Sequence, residues 1–138
     1  MTSLPRSLFA MLAPTGILFF LHRLRIFLVP WDGRFDPFLH FFGGMSIAWL
    51  TWRGYRLLRE RAAFPELPRW AVTLICIAVT ALVGVLWEFY EYAVFIWLDP
   101  TYDIRLPDTM FDLLLDLAGG SLFASFVFVR SALEKRFR

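Results

Sequence analysis

Cysteine occurs once in this chain, as Cys76 inside an apolar run. An internal disulfide is therefore excluded, and so is a thiolate cluster for a metal. A glycine-rich phosphate loop and the serine turn of α/β hydrolases are missing as well, which removes the commonest signatures of soluble nucleotide and ester chemistry. Lysine is scarce: of fourteen basic residues thirteen are arginine. These arginines flank apolar runs and form no continuous stripe, so nucleic acid is not an expected partner. No internal repeat or low-complexity tract is found, and 138 residues suffice for one domain at most. A cleavable leader is not expected either. The apolar stretch after Arg6 is broken by Pro14 and Gly16, and HRLR follows it where a small-residue cleavage site belongs.

What the chain has in excess is apolar surface. Its 59% hydrophobic content exceeds the roughly 45–50% usual for soluble domains, and a bilayer accounts for the difference. Residues 70–87 carry no charge over eighteen positions, the clearest span. Glu88, Phe89, Tyr90, Glu91 and Tyr92 continue it to Leu98, longer than one crossing. A second span opens at Asp36-Pro37, where Asp suits the N-cap and Pro the first helical position, and runs to about Trp52. The last covers about 109–129. Residues 7–21 would reach only about 22 Å as a helix. They cross either by continuing through His22, Arg23, Leu24 and Arg25 to Val29, or end as an interfacial amphipathic segment. Pro30-Trp31-Asp32-Gly33 reads as a turn, and residues 53–69 as a polar loop with a short helical part.

The expected fold is thus an all-α, integral membrane four-helix bundle in one domain, with spans near 7–29, 36–52, 70–98 and 109–129. The N-terminus, the 53–69 loop and the tail hold ten of the fourteen Lys and Arg. Both termini should therefore face the cytoplasm of a bacterial inner membrane.

Three spans share a further pattern. Asp108, Asp112, Asp116, Gly120 and Ala124 recur every fourth residue and so occupy one helix face. Asp36, His40, Gly44 and Ala48 repeat the plan, as do Thr80, Gly84 and Glu88 with Glu91 beside it. With alternating helix directions, all the acids fall in one band near the outer surface. Small residues follow below them, where helix backbones can approach closely. Capping accounts for Asp36 and Asp108 without any functional role, but no cap explains Asp116, a carboxylate in the third turn of a membrane helix.

His40, Glu88, Glu91, Asp112 and Asp116 would together carry about four negative charges if all the acids ionised, which a dry bundle cannot hold. A divalent cation, shared protons or the arginines of the first helix would each neutralise them. Oxygen-rich ligation with one imidazole suits Mg²⁺, Mn²⁺, Fe²⁺ or Zn²⁺.

The segments FDPFLHFFGGM (35–45), WEFYEY (87–92) and DTMFDLLLDLAGG (108–120) resemble the YjdF-type bacterial inner-membrane proteins, and more loosely the VanZ-like group. The resemblance runs from Phe35 to about Ala124. It implies that Asp36, His40, Glu88, Glu91, Asp108 and Asp112 occupy motif positions, while Asp116 is placed by periodicity alone. Pro37 stands where the VanZ-like pattern has Lys, and the 102–107 loop is shorter than in the YjdF type.

Two functions are compatible with these residues. One is a metal-dependent membrane enzyme acting on a lipid or lipid-linked phosphate. In it Glu88, Glu91, Asp112 and Asp116 hold the ion, His40 is the acid/base oriented by Asp36, and Arg23, Arg25 or Arg105 bind the anionic head group. The other is a non-catalytic bundle that binds a head group, passes an ion or proton, or supports an assembly, with the acids held in salt bridges.

Overall fold

The computed structural model describes residues 4–28, 35–61, 63–98, 101 and 105–136. They form four helices: α1 (Leu4–Leu28), α2 (Asp36–Glu60), α3 (Arg69–Leu98) and α4 (Leu106–Arg136). The all-α bundle expected from the sequence is what the chain adopts. Two helices, Arg69–Leu98 and Leu106–Ser131, are long and apolar enough to cross a membrane, and Arg6–His22 is a shorter apolar stretch.

Burial is inverted relative to a water-soluble bundle. Among the described residues the buried apolar side chains are Ala48, Cys76 and Ala124, whereas Ser7, His22, His40, Ser46, Thr80, Asp112 and Asp116 are buried polar groups. Outside, Phe9, Phe89 and Trp97 are 75%, 66% and 82% exposed. Water would penalise that surface, and hydrocarbon would not. Polar groups then turn inward because lipid offers them no partners.

Pairings along the bundle give the helix directions. His40, Gly44 and Trp49 of α2 meet Asp116, again Asp116, and Phe123 of α4, so these two helices run parallel. Along α3, Gly84 faces Asp116 and Thr80 faces Gly120, so α3 is antiparallel to both. Met11 of α1 lies beside Gly54 near the far end of α2, which makes α1 antiparallel to α2. The alternating directions assumed for the spans are those of the structure.

The α2–α4 contact is the closest. A Cβ on Gly44 would run into the Asp116 carbonyl, and one on Gly119 would run into the Phe41 carbonyl. Only backbones without side chains at these positions can meet so closely, which is how helices associate in lipid. Helix α1 packs on α2 and reaches α3 through side chains, Phe19 and His22 lying edge-on to the Trp87 ring.

Several boundaries differ from the sequence reading. Phe35 occupies the N-cap of α2 and makes no side-chain cap bond, so Asp36 is not the cap but the first helical residue. Likewise α4 begins at Leu106. Asp108 therefore lies in its first turn, with its N–H bonded to the Arg105 carbonyl. Helix α2 does not stop at Trp52. It continues to Glu60 because Arg53 and Arg56 each stack one turn back, over Trp49 and Trp52, at 5.8 and 5.2 Å from the ring centroids. Helix α1 continues past Leu21 to Leu28. The expected turn at Pro30-Trp31-Asp32-Gly33 lies outside the described residues.

Candidate functional site

Each of the four helices brings a titratable side chain to the end of the bundle where α2 and α4 begin and α3 ends. His40, on the second turn of α2, is buried and lies between two acids of α4. Its Nδ1 donates to Asp116 Oδ2 at 3.3 Å, and its Nε2 is 3.8 Å from Asp112 Oδ2. From α3, Glu88 and Glu91 approach the same imidazole. One ligand atom each of His40, Glu88 and Glu91 lie within 4.8 Å of one another.

Two further triads satisfy the same distance: Asp36, His40 and Asp112, and His22, Asp36 and Glu91. The helical spacing explains the grouping. Asp36 and His40 are one turn apart on α2, as are Asp112 and Asp116 on α4, so each helix offers a pair of groups on one face. Every triad contains a histidine. The four carboxylates Glu88, Glu91, Asp112 and Asp116 do not form a ligand set of their own among the described residues, because Asp116 is turned toward His40 and sits in none of the triads.

Asp116 is instead encased by glycines. Besides the Gly44 contact with its carbonyl, a Cβ on Gly84 would stand 2.8 Å from its Oδ2 and one on Gly43 would stand 3.8 Å from its Oδ1. The small-residue stripe is thus not wholly below the acid band. Its upper members create the space that the carboxylate occupies.

Glu88 shows where the site is incomplete. Its Oε1 is buried with no hydrogen-bond partner among the described residues. A buried carboxylate oxygen without a donor is costly, and a cation is the simplest compensation.

Next to these groups is a cavity of about 220 Å³ between α1 and α3, roofed by α2. Leu18, Phe19, Ile47 and Val83 give it an apolar wall, and His22, His40 and Asp116 reach its edge. Thr15 Oγ1 is on its lining, buried and unpartnered among the described residues.

Sequence reasoning missed His22. It is buried on α1, 3.6 Å from Glu91 Oε1, with its ring edge-on to Trp87 at 4.7 Å between centroids. The signal was present: Ser7, Met11, Thr15, Leu18 and His22 follow a 4-4-3-4 spacing, one helix face with polar groups on it. The side chains of Arg23 and Arg25, expected to bind a head group, lie outside the described residues. Asp108 and Arg105 are exposed at the start of α4, and neither pairs with the buried acids among the described residues. Cys76 is buried against Ala48 and Ala124, far from the imidazoles along α3.

Comparison with known proteins agrees with the burial pattern. The model of the family described as "Predicted membrane protein (DUF2238)" matches residues 5–132, nearly the whole chain. The protein belongs to that family, which is the YjdF type. No curated protein and no solved structure matches it.

Proposed function

We propose that this membrane protein crosses the bacterial inner membrane four times with both termini cytoplasmic. In this reading its outward-facing His/carboxylate centre holds one divalent metal ion, with which it acts on a phosphate-bearing lipid or lipid-linked substrate. The observation that carries the reading is the trio His40, Glu88 and Glu91, brought from two helices to within 4.8 Å, with Glu88 Oε1 buried and lacking a donor.

The role of Asp116 follows from its geometry. A histidine that ligates a metal through one ring nitrogen usually donates the other N–H to a carboxylate, which fixes the ring and raises its basicity. His40 donates Nδ1–H to Asp116, leaving Nε2 on the Asp112 side. Asp116 is therefore the orienting partner in this proposal. His40, Glu88 and Glu91 are ligands, and Asp36 and Asp112 complete the oxygen-rich shell. Such an ion supplies the charge that polarises a phosphoryl or acyl oxygen and acidifies a bound water.

The substrate class is supported by the cavity. A polar centre opening onto a small apolar chamber inside a membrane bundle suits an amphiphile, with its charged end at the carboxylates and hydrocarbon against Leu18, Phe19, Ile47 and Val83. Arg105 at the rim of the bundle, together with Arg23 and Arg25, would meet the anionic head group.

A second reading is favoured by the histidine pairs. His22 with Glu91 and His40 with Asp116 form a chain of imidazoles and carboxylates from α1 to α4. Such a chain suits passage of a proton, or a purely structural network.

Elemental analysis of the purified full chain after exposure to Mg²⁺, Mn²⁺, Fe²⁺ or Zn²⁺ separates the two. The metal reading requires about one ion per chain, lost in Glu88→Gln and Glu91→Gln, and chelator-sensitive phosphate release from a lipid phosphate in vesicles. A metal-free wild-type protein would refute it and leave the relay.

A further inference from the structure

The opposite end of the bundle carries a second concave surface. A groove of about 1010 Å³ runs between the ends of α2, the start of α3 and the end of α4. Its mouth is basic: Arg56, Arg59, Arg69 and Arg130 line it together with the acid Glu66, and Glu60 lies beside it, paired with Arg56. Its floor is apolar, made by Val72, Cys76, Ala124 and Val127. Trp70 and Phe126, 63% and 60% exposed, form an open side that faces the surroundings of the bundle.

We infer that this groove binds one anionic diacyl phospholipid from the leaflet at the arginine-bearing end of the bundle, phosphate among the arginines and an acyl chain along the floor. Three observations support it. First, the excess of guanidinium groups calls for an anion, and basic pockets between membrane helices hold anionic head groups. Arg56 pairs with Glu60 and Arg59 with Glu66 at 3.6 Å each, and Arg130 has an interaction of its own, but exposed pairs of this kind hold arginines only weakly.

Second, the Arg56 guanidinium stacks at 5.2 Å over the Trp52 ring, and both residues line the groove, so this cation is held on the groove wall where an anion would meet it. Third, the floor continues the apolar outer surface of α3 and α4, so a lipid can enter sideways without leaving the bilayer. A free inorganic anion would make no use of it.

The test uses the full chain purified in a neutral detergent. Retention of dioleoyl phosphatidylglycerol, dioleoyl phosphatidylcholine and inorganic phosphate is measured by native mass spectrometry and by thermal shift. Phosphatidylglycerol should be held at least tenfold more tightly than phosphatidylcholine. Arg56→Gln with Arg69→Gln should remove that preference at about fivefold per arginine, while the Arg56→Lys, Arg69→Lys pair keeps most of it. Val127→Trp, which fills the floor and leaves the charge, should weaken lipid retention severalfold. Equal retention of the two lipids would overturn the inference. So would phosphatidylglycerol binding that neither the Gln pair nor Val127→Trp affects, or inorganic phosphate competing as well as the lipid does.

Discussion

Gly84 and Asp116 face one another so closely that a Cβ on the glycine would stand 2.8 Å from the carboxylate Oδ2, the same oxygen that accepts from His40. The absence of a side chain on α3 thus positions an acid on α4 for a base on α2. Gly84→Ala should push the carboxylate off His40 and cost about 1–3 kcal/mol, the usual penalty of overpacking. Gly16→Ala is the control, because nothing lies within 4 Å of that position. It should be neutral or stabilising by up to about 1 kcal/mol, the helix-propensity gain of alanine over glycine. Thermal unfolding in detergent reads both, and equal effects would disprove the packing account.

Gly119→Ala and Gly44→Ala should be worse than Gly84→Ala. Their added methyls meet the backbone carbonyls of Phe41 and Asp116, which cannot rotate aside as a carboxylate can. The α2–α4 pair must separate, and the His40–Asp116 bond separates with it. Loss of monodisperse protein on size exclusion, with Gly43→Ala retained as folded, is the expected pattern. Gly43 has only an ordinary contact, at 3.8 Å.

Much of this arrangement was legible in the sequence, for a specific physical reason. Residues four apart share a helix face, so Asp112 and Asp116, or Asp36 and His40, could be grouped without coordinates. Alternating spans then bring them to one end. What the period cannot supply is interhelical register. Nothing in residues 84 and 116 announces that the glycine stands at the carboxylate's own level instead of beneath it. The course of α2 beyond Trp52 was hidden differently. Arginines there mark the end of the helix's apolar surface and not the end of the helix. The backbone continues because Arg53 and Arg56 lie over Trp49 and Trp52.

His22 and Glu91 provide a test of the link between α1 and the rest of the bundle. Their 3.6 Å approach joins a buried histidine to a largely buried glutamate, 8% and 13% exposed, so His22→Phe, Glu91→Gln and the double variant form a double-mutant cycle. Phenylalanine preserves the edge contact with Trp87 and removes only the ring nitrogens. A coupling energy of about 1 kcal/mol is expected, in the range of polar contacts between membrane helices. Additive single effects would mean that α1 is held by packing alone.

The proposed topology, four crossings with both termini inside, can be checked without purified protein. Thr101 and Ala63 are exposed at opposite ends of the bundle, and the native Cys76 is buried. An impermeant maleimide applied to intact spheroplasts should therefore label Thr101→Cys. It should label Ala63→Cys only after the membrane is opened, and Cys76 in neither case. The reversed pattern would invert the bundle, and with it the outward placement of the His/carboxylate centre.

Asp116→Asn distinguishes an orienting carboxylate from a ligand. The asparagine carbonyl can still accept the Nδ1 proton of His40, so the ring stays in place while the carboxylate is lost. If Asp116 acts through His40, metal affinity should fall about 10- to 100-fold, the usual effect of removing such a partner, while the fold persists. Glu88→Gln removes a proposed ligand whose Oε1 already lacks a donor. It should abolish binding, and it should raise thermal stability in the absence of metal because an uncompensated buried charge has been deleted. Titration of each variant with the metal found in the wild type, followed by both stoichiometry and melting temperature, gives the two readouts. A Glu88→Gln protein that is less stable than wild type without metal would show that the glutamate is already neutralised within the bundle, and the cation would no longer be required.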